Sequence, residues 1–326
     1  MNVDDDALLI FDEPTATFMP GQTITGRVVF LTRSPMKKIS VTIQFRGECK
    51  LSWTKWESRC IGKKLFLKSK IVLFCDKGES QLEVSKYVYP FHFSLPSFIP
   101  STFFCKYGCI RYTAKAKIIR PRRPDVIMTL MFVILSPIDL NDVPSTYDPQ
   151  CALKENPYRS SCLISGSIKL LAYIPYSGFV PGQTIPVTVK LDNKSNVNVD
   201  YVIIRLERKW KINAHYTSSR KSDIVRKIIN GAEKHTTKTY VVQIQIPNSL
   251  MILDFKYCKV ITETFTLHVE ALGSDVRRVA FNVLLGNIPL ITTARDTYQD
   301  NQTFQLSVQK YCSYKSIPTN YFPFVD

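Results

Sequence analysis

Apolar and polar residues alternate with a period of two along most of this chain. Val41, Ile43 and Phe45 alternate with Thr42, Gln44 and Arg46, the pattern of a strand with one buried face. The same reading predicts strands at 7–11, 24–31, 39–47, 88–95, 106–118 and 126–135, and again at 164–174, 184–191, 199–210, 239–246, 258–270 and 276–285. A further apolar run spans Lys70 to Phe74. No amphipathic helix of convincing length interrupts the strands. Residues 211–238 are polar and basic and read in part as a long loop, with 219–229 a candidate short helix. Pro137, Pro144, Pro149 and Pro157 break up 136–160, which reads as a partly extended linker. After about Pro289 the periodicity ends, and a polar tail follows.

The strand pattern comes twice. Pro20-Gly21-Gln22-Thr23-Ile24 returns as Pro181-Gly182-Gln183-Thr184-Ile185, an offset of 161 residues. At that offset Val41, Ile43 and Phe45 fall on Val202, Ile204 and Leu206, so strand parity is kept. Further on, Phe91-His92-Phe93-Ser94-Leu95-Pro96 matches Val242-Gln243-Ile244-Gln245-Ile246-Pro247, and Lys106-Tyr107 matches Lys256-Tyr257. Four matched blocks in one order imply a duplicated domain. The expected organisation is all-β, with one sandwich over 1–138, a linker over 139–160, a second sandwich over 161–292 and a tail over 293–326. In Pro20-Gly21 the proline presets φ at about −65° and the glycine tolerates the positive φ that follows in a type II turn.

Length and composition agree with two domains: 326 residues allow each half a core of its own, and 19 prolines outnumber 12 glycines, as in proline-punctuated β-structure. The longest apolar run, Val126 to Leu135, is about half of a bilayer span and reads as a buried strand. Asp4-Asp5-Asp6 stands where a secretory signal would be basic and then apolar, so the expectation is a soluble, intracellular chain. Nine cysteines form no C-x-x-C pair and four histidines are scattered, so neither a metal site nor a redox dithiol is expected, and no cofactor. Without a Gly-rich phosphate loop, a nucleophile elbow or H-E-x-x-H, the reading is a binding module and not an enzyme.

Charge changes the picture more. The formal net charge is +16. Residues 33–70 hold eleven Lys/Arg against two Glu, and 205–238 hold ten against three acids, so equivalent regions of both halves are basic. Such surfaces attract phosphorylated tails, acidic lipids or nucleic acid. Along 106–118, Arg111, Thr113, Lys115 and Lys117 share one face, and Arg120, Arg122 and Arg123 lie at the Pro121–Pro124 corner beside them. Arg111, Lys115, Lys117, Arg120, Arg122 and Arg123 are the candidate anion- or partner-binding residues. The basic residues lack interleaved aromatics, so no specific nucleic-acid partner is expected.

Phe11-Asp12-Glu13-Pro14, PGQTITGRVVF, VTIQFRGE and FHFSLPSFIPSTFFCKYGCIRYTAKAKIIRP together resemble the arrestin N-domain. SGSIKLLAYIPYSGFVPGQTIPVTVKLDNKSNVNVDYVIIRLER resembles the arrestin C-domain. The form is similar to arrestin domain-containing proteins (alpha-arrestins), insect members in particular, more than to visual or beta-arrestins. The resemblance covers roughly residues 7–290. It implies two seven-stranded immunoglobulin-like sandwiches and an adaptor that docks on cytoplasmic parts of membrane proteins and directs endocytic, endosomal or ubiquitin-dependent sorting. It implies residence in the cytoplasm, peripherally at plasma membrane or endosomes. Many alpha-arrestins recruit WW-domain ubiquitin ligases through P-P-x-Y. Here Pro144-Ser145-Thr146-Tyr147 and Pro318-Thr319-Asn320-Tyr321 lack that spacing, so ligase recruitment is not carried over. The first strand has no lysine, so the paired-lysine phosphate sensor of visual arrestins is not carried over either. Leu8-Leu9-Ile10-Phe11-Asp12 has the outline of a clathrin-box peptide but reads as a strand of the first sheet. A retromer-subunit-like scaffold and an anionic-lipid-binding protein are the alternative readings.

Overall fold

The computed structural model describes residues 7–55, 58–76, 81–105, 107–120, 123–160, 163–213, 217–273 and 276–291. The first half forms β1 (Ala7–Phe11), β2 (Thr17–Phe18), β3 (Thr23–Leu31), β4 (Ser40–Lys55), β5 (Ser58–Cys75), β6 (Lys86–Ser94), β7 (Phe103–Cys105), β8 (Gly108–Ile119) and β9 (Val126–Ile134). The second forms β10 (Gln150–Ser160), β11 (Leu163–Ile174), β12 (Gly178–Phe179), β13 (Thr184–Asn193), β14 (Val199–Asn213), β15 (Thr217–Asn230), β16 (Thr236–Gln245), β17 (Ile261–Gly273) and β18 (Arg277–Leu285). One sandwich pairs a β1-β3-β6 sheet with β2-β9-β8-β4-β5, where β7 also joins β8. The other pairs β10-β11-β13-β16 with β12-β18-β17-β14-β15. Setting aside the short β2, β7 and β12, and also β10, leaves seven matched strands in each half. This is the all-β double sandwich read from the alternation.

The repeated pentapeptide has the same job in both halves. Gln22 N–H donates to Met19 O at 3.1 Å and Gln183 N–H to Val180 O at 3.1 Å, closing a turn around each Pro-Gly. Gly21 and Gly182 take φ of 82° and 92°, as a type II turn requires. Each glutamine side chain then accepts from the turn's first residue: Met19 N–H to Gln22 Oε1 at 2.8 Å, and Val180 N–H to Gln183 Oε1 at 3.0 Å. The turn delivers the chain from a two-residue parallel strand (Thr17 beside Val133, Gly178 beside Leu284) into the first long strand of each sandwich. The fourth matched pair is not equidistant. Tyr107 adjoins β8, whereas Tyr257 lies in a turn four residues before β17.

Three expectations are corrected. Residues 211–238 contain neither a long loop nor a helix at 219–229; β14 continues to Asn213 and β15 returns antiparallel from Thr217 to Asn230. Likewise β4 and β5 form one long hairpin that the sequence showed only at 39–47 and 70–74. Register shifts at Gly47/Glu48 and Leu206/Glu207 reverse the parity partway along each hairpin, which breaks the period-two signal. Of the segment expected as a linker, Gln150–Ser160 is β10, an edge strand on β11, with Pro157 beside a register shift, a position on an edge strand where proline is tolerated. The rest holds two 3₁₀ turns, Leu140–Asp142 and Pro144–Tyr147. The tail at 293–326 lies outside the described residues.

The two cores meet. Ile212, Leu253, Phe255, Cys258 and Ile261 from the second half complete the apolar cluster of the first. Phe103 stands edge-on to Trp210 and to Phe255, with ring centroids 5.3 and 5.1 Å apart. Ser101 N–H donates to Asp254 O at 3.2 Å, and Ser136 Oγ to Asp254 Oδ2 at 3.1 Å. Cys49 and Cys258 are both buried at this junction, and the neighbouring Cys258 thiol together with burial pushes the Cys49 thiol up.

Candidate functional site

Alternation along β8 decides what faces solvent. Ile110, Tyr112, Ala114, Ala116 and Ile118 are buried, so Arg111, Thr113, Lys115 and Lys117 share the outer face. In register beside them, β4 sets Gln44 opposite Lys115, Arg46 opposite Thr113 and Glu48 opposite Arg111. Beyond β4, Lys70, Lys68 and Lys63 of β5 lie opposite Gln44, Arg46 and Lys50. The outer face therefore carries Arg46 and Lys50 on β4, three lysines on β5, and Arg111, Lys115 and Lys117 on β8. Glu48 is the one carboxylate among the described outward positions of these strands.

Glu48 sits at the centre of the face. Its side chain is 5% exposed and meets Arg46 Nη2 at 2.7 Å, Lys50 Nζ at 3.0 Å and Arg111 Nη2 at 3.6 Å. Burial would raise its pKa, but the hydrogen bonds from Arg46 and Lys50 outweigh burial and hold the carboxyl below its ordinary value. One carboxylate thus serves three cations.

The candidate residues divide. Arg111 belongs to the Glu48 cluster. Lys117 Nζ pairs with Asp125 Oδ2 at 2.8 Å. Arg120 Nε donates to Pro124 O at 3.0 Å, which clamps the β8–β9 connection, and Arg123 Nη2 reaches Ser34 Oγ at 3.1 Å. Arg122 lies outside the described residues. Lys115 is exposed, with no carboxylate in ion-pair reach among the described residues. The described corner residues Arg120 and Arg123 therefore make local contacts, while among the described residues open positive charge lies on Lys115 and the β5 lysines. Sequence reasoning missed Lys63, Lys68 and Lys70 because the register shift puts an odd- and two even-numbered lysines on one face. The signal available was Lys68-Ser69-Lys70, an alternation broken only by the shift.

The duplicated sheet carries a related cluster. Arg205, on the outer face of β14, meets Glu207 at 3.0 Å, Asp223 at 2.8 Å and Glu270 at 3.1 Å. Lys221 meets Glu207 at 3.0 Å and Arg278 meets Glu270 at 2.9 Å. Burial and then Arg205 push His268 below its ordinary pKa, with Glu207 and Glu270 opposing. Arg46-Gly47-Glu48 and Arg205-Leu206-Glu207 are the same two-apart ion pair, displaced by two positions from the offset of 161, so comparison at that offset passed over it. Here three carboxylates stand among the cations.

Two linear motifs are held in the fold. Leu8–Phe11 lies in β1, paired with β3, with Leu9 and Phe11 buried. Pro144–Tyr147 is a 3₁₀ turn with Thr146 buried, and its Tyr147 hydroxyl donates to Asn141 Oδ1. Pro318–Tyr321 lies outside the described residues. Among the described residues no helix is long and apolar enough to cross a membrane.

Residues 7–141 match the family model described as "Arrestin (or S-antigen), N-terminal domain" and residues 164–290 the one described as "Arrestin (or S-antigen), C-terminal domain". The chain is 24% identical over 306 residues to arrestin domain-containing protein 17 of Caenorhabditis elegans, covering 87% of this chain and 71% of that protein. It is 26% identical over 276 residues to human arrestin domain-containing protein 1, covering 83% and 62%. It is also 26% identical over 193 residues to human thioredoxin-interacting protein, covering 57% and 49%. The chain thus spans less than two thirds of either human relative.

Proposed function

This chain belongs to the arrestin family, and from that premise we propose that it is a non-catalytic intracellular adaptor. In this reading it binds cytoplasmic regions of membrane proteins and directs them into endocytic, endosomal or ubiquitin-dependent sorting, working in the cytoplasm and peripherally at plasma membrane or endosomes. The observation that carries the reading is the pairing of both arrestin domains in one chain through a shared apolar junction. A joined double sandwich offers two separate surfaces at fixed spacing, which is what bridging a cargo to sorting machinery requires. Because Pro144–Tyr147 is folded as a 3₁₀ turn, that segment is not offered as an extended ligase-binding peptide. Proximity labelling of the tagged chain in cells, followed by mass spectrometry, tests this. Transmembrane cargo with endosomal or ligase components is the expected result. A list dominated by one soluble complex without cargo would replace the adaptor with a fixed scaffold.

A further inference from the structure

The outward positions of β5 read Ile61, Lys63, Leu65, Lys68, Lys70 and Val72, three lysines interspersed with three apolar side chains on one exposed face. None of these lysines has a carboxylate in ion-pair reach among the described residues. Across the sheet, β9 adds Ile127 and Met131 beside Lys117 and Thr113. The apolar members are exposed by 42% (Met131) to 60% (Val72), although a core lies directly beneath them.

The geometry points to an anionic bilayer surface as the partner of this face: the first sandwich docks flat on the membrane through the outer side of β5-β4-β8-β9. Charge complementarity is the first argument. Glu48 is already shared among three cations, so Lys63, Lys68, Lys70 and Lys115 are left to counter-ions or to an anionic partner. Shape is the second. Four strands about 4.8 Å apart, and a β5 outer row running on the order of 35–40 Å, make a broad surface rather than a pocket for one anion. Composition is the third. Apolar side chains between lysines match a headgroup region, where amphipathic lysine stems lie along apolar surface and their charges meet lipid phosphates. No described outward position of these strands carries an aromatic ring, so the face has no stacking platform for nucleic-acid bases.

The duplication supplies an internal control. The equivalent sheet of the second sandwich keeps Glu207, Asp223 and Glu270 among its cations. The docking face is thus assigned to the first sandwich by more than net charge.

The test is co-sedimentation of the full chain with phosphatidylcholine vesicles, with and without roughly 30% phosphatidylserine. Each lysine near an anionic surface is worth roughly fivefold in partitioning, so Lys63→Glu/Lys68→Glu/Lys70→Glu is expected to weaken binding to the anionic vesicles by at least about a hundredfold. Lys209→Glu/Lys211→Glu/Arg226→Glu makes the same charge change on the other sandwich and is expected to cost less than about tenfold. Equal losses from the two triples would overturn the assignment, because net charge alone would then explain binding. Equal binding of wild type to neutral vesicles would overturn it too. If the β5 triple abolishes binding of a soluble polyglutamate peptide while vesicle binding persists, the face is a peptide site and the membrane assignment falls. Circular dichroism melts of both triples confirm that they fold; Lys209 is half-buried, the other five side chains are exposed, and none makes an ion pair with described residues. The inference stands apart from the adaptor reading. Vesicle binding in vitro and cargo labelling in cells can fail independently.

Discussion

Gln22 and Gln183 occupy the same place in two copies of one turn, yet one is exposed and the other buried. That difference separates the value of the hydrogen bond from the value of the turn. Replacing Gln183 by Ala removes the acceptor of the buried Val180 N–H. An unsatisfied buried donor costs about 1–3 kcal/mol, so Gln183→Ala should lower the free energy of unfolding in urea by that much. In Gln22→Ala water replaces the lost oxygen at Met19 N–H, and the loss should be about 0.5 kcal/mol or less. Equal losses would mean that the turn, and not burial, sets the cost.

At the scale of elements, β4 and β8 are joined across their outer face by Glu48 and its three cations. The folded-state pKa of Glu48 is lowered, so its contribution is in place above the ordinary carboxylate value of 4.5 and is lost as pH falls through the folded value. Glu48→Gln keeps the shape and removes the charge. At neutral pH it should be less stable than wild type by about 1–3 kcal/mol in urea unfolding, and the two stabilities should converge on acidification. A constant gap at every pH would show that shape, not charge, holds the pair. The hairpins also mark where reading the sequence stopped. Strands with one clean parity, such as Val41-Ile43-Phe45 and Ile110 to Ile118, were legible because burial alternates without a break. The β14–β15 hairpin was not, because β15 is a solvent-facing edge whose order comes from its ladder with β14 and not from its own side chains. For the candidate site, the face of β8 was legible and the β5 lysines were not. The commitments of Lys117 to Asp125 and of Arg123 to Ser34 depend on folding contacts that spacing alone does not encode.

At the scale of the molecule, the question is whether two sandwiches behave as one unit. The first core is completed by residues from the second, and the loop after β6 packs on the corresponding loop after β16 through Ser101 and Asp254. Phe103 is the central contact: it is 4% exposed and touches both Trp210 and Phe255. Removing a buried aromatic ring costs about 3–5 kcal/mol. Because this ring lies between the cores, part of that cost falls on their coupling and not on either sandwich alone. Wild type should therefore unfold in one calorimetric transition, and Phe103→Ala in two, with the first at lower temperature. Phe45→Ala is the comparison. Phe45 is fully buried inside the first sandwich, stacked on Phe93 at 4.2 Å, so its loss should lower stability by a similar amount without resolving two transitions. If both variants give one shifted transition, the coupling does not pass through Phe103. If both give two, the sandwiches are only weakly coupled and any loss of stability exposes it. Separation by Phe103→Ala alone would identify the aromatic junction as what fixes the spacing of the two surfaces on which bridging depends.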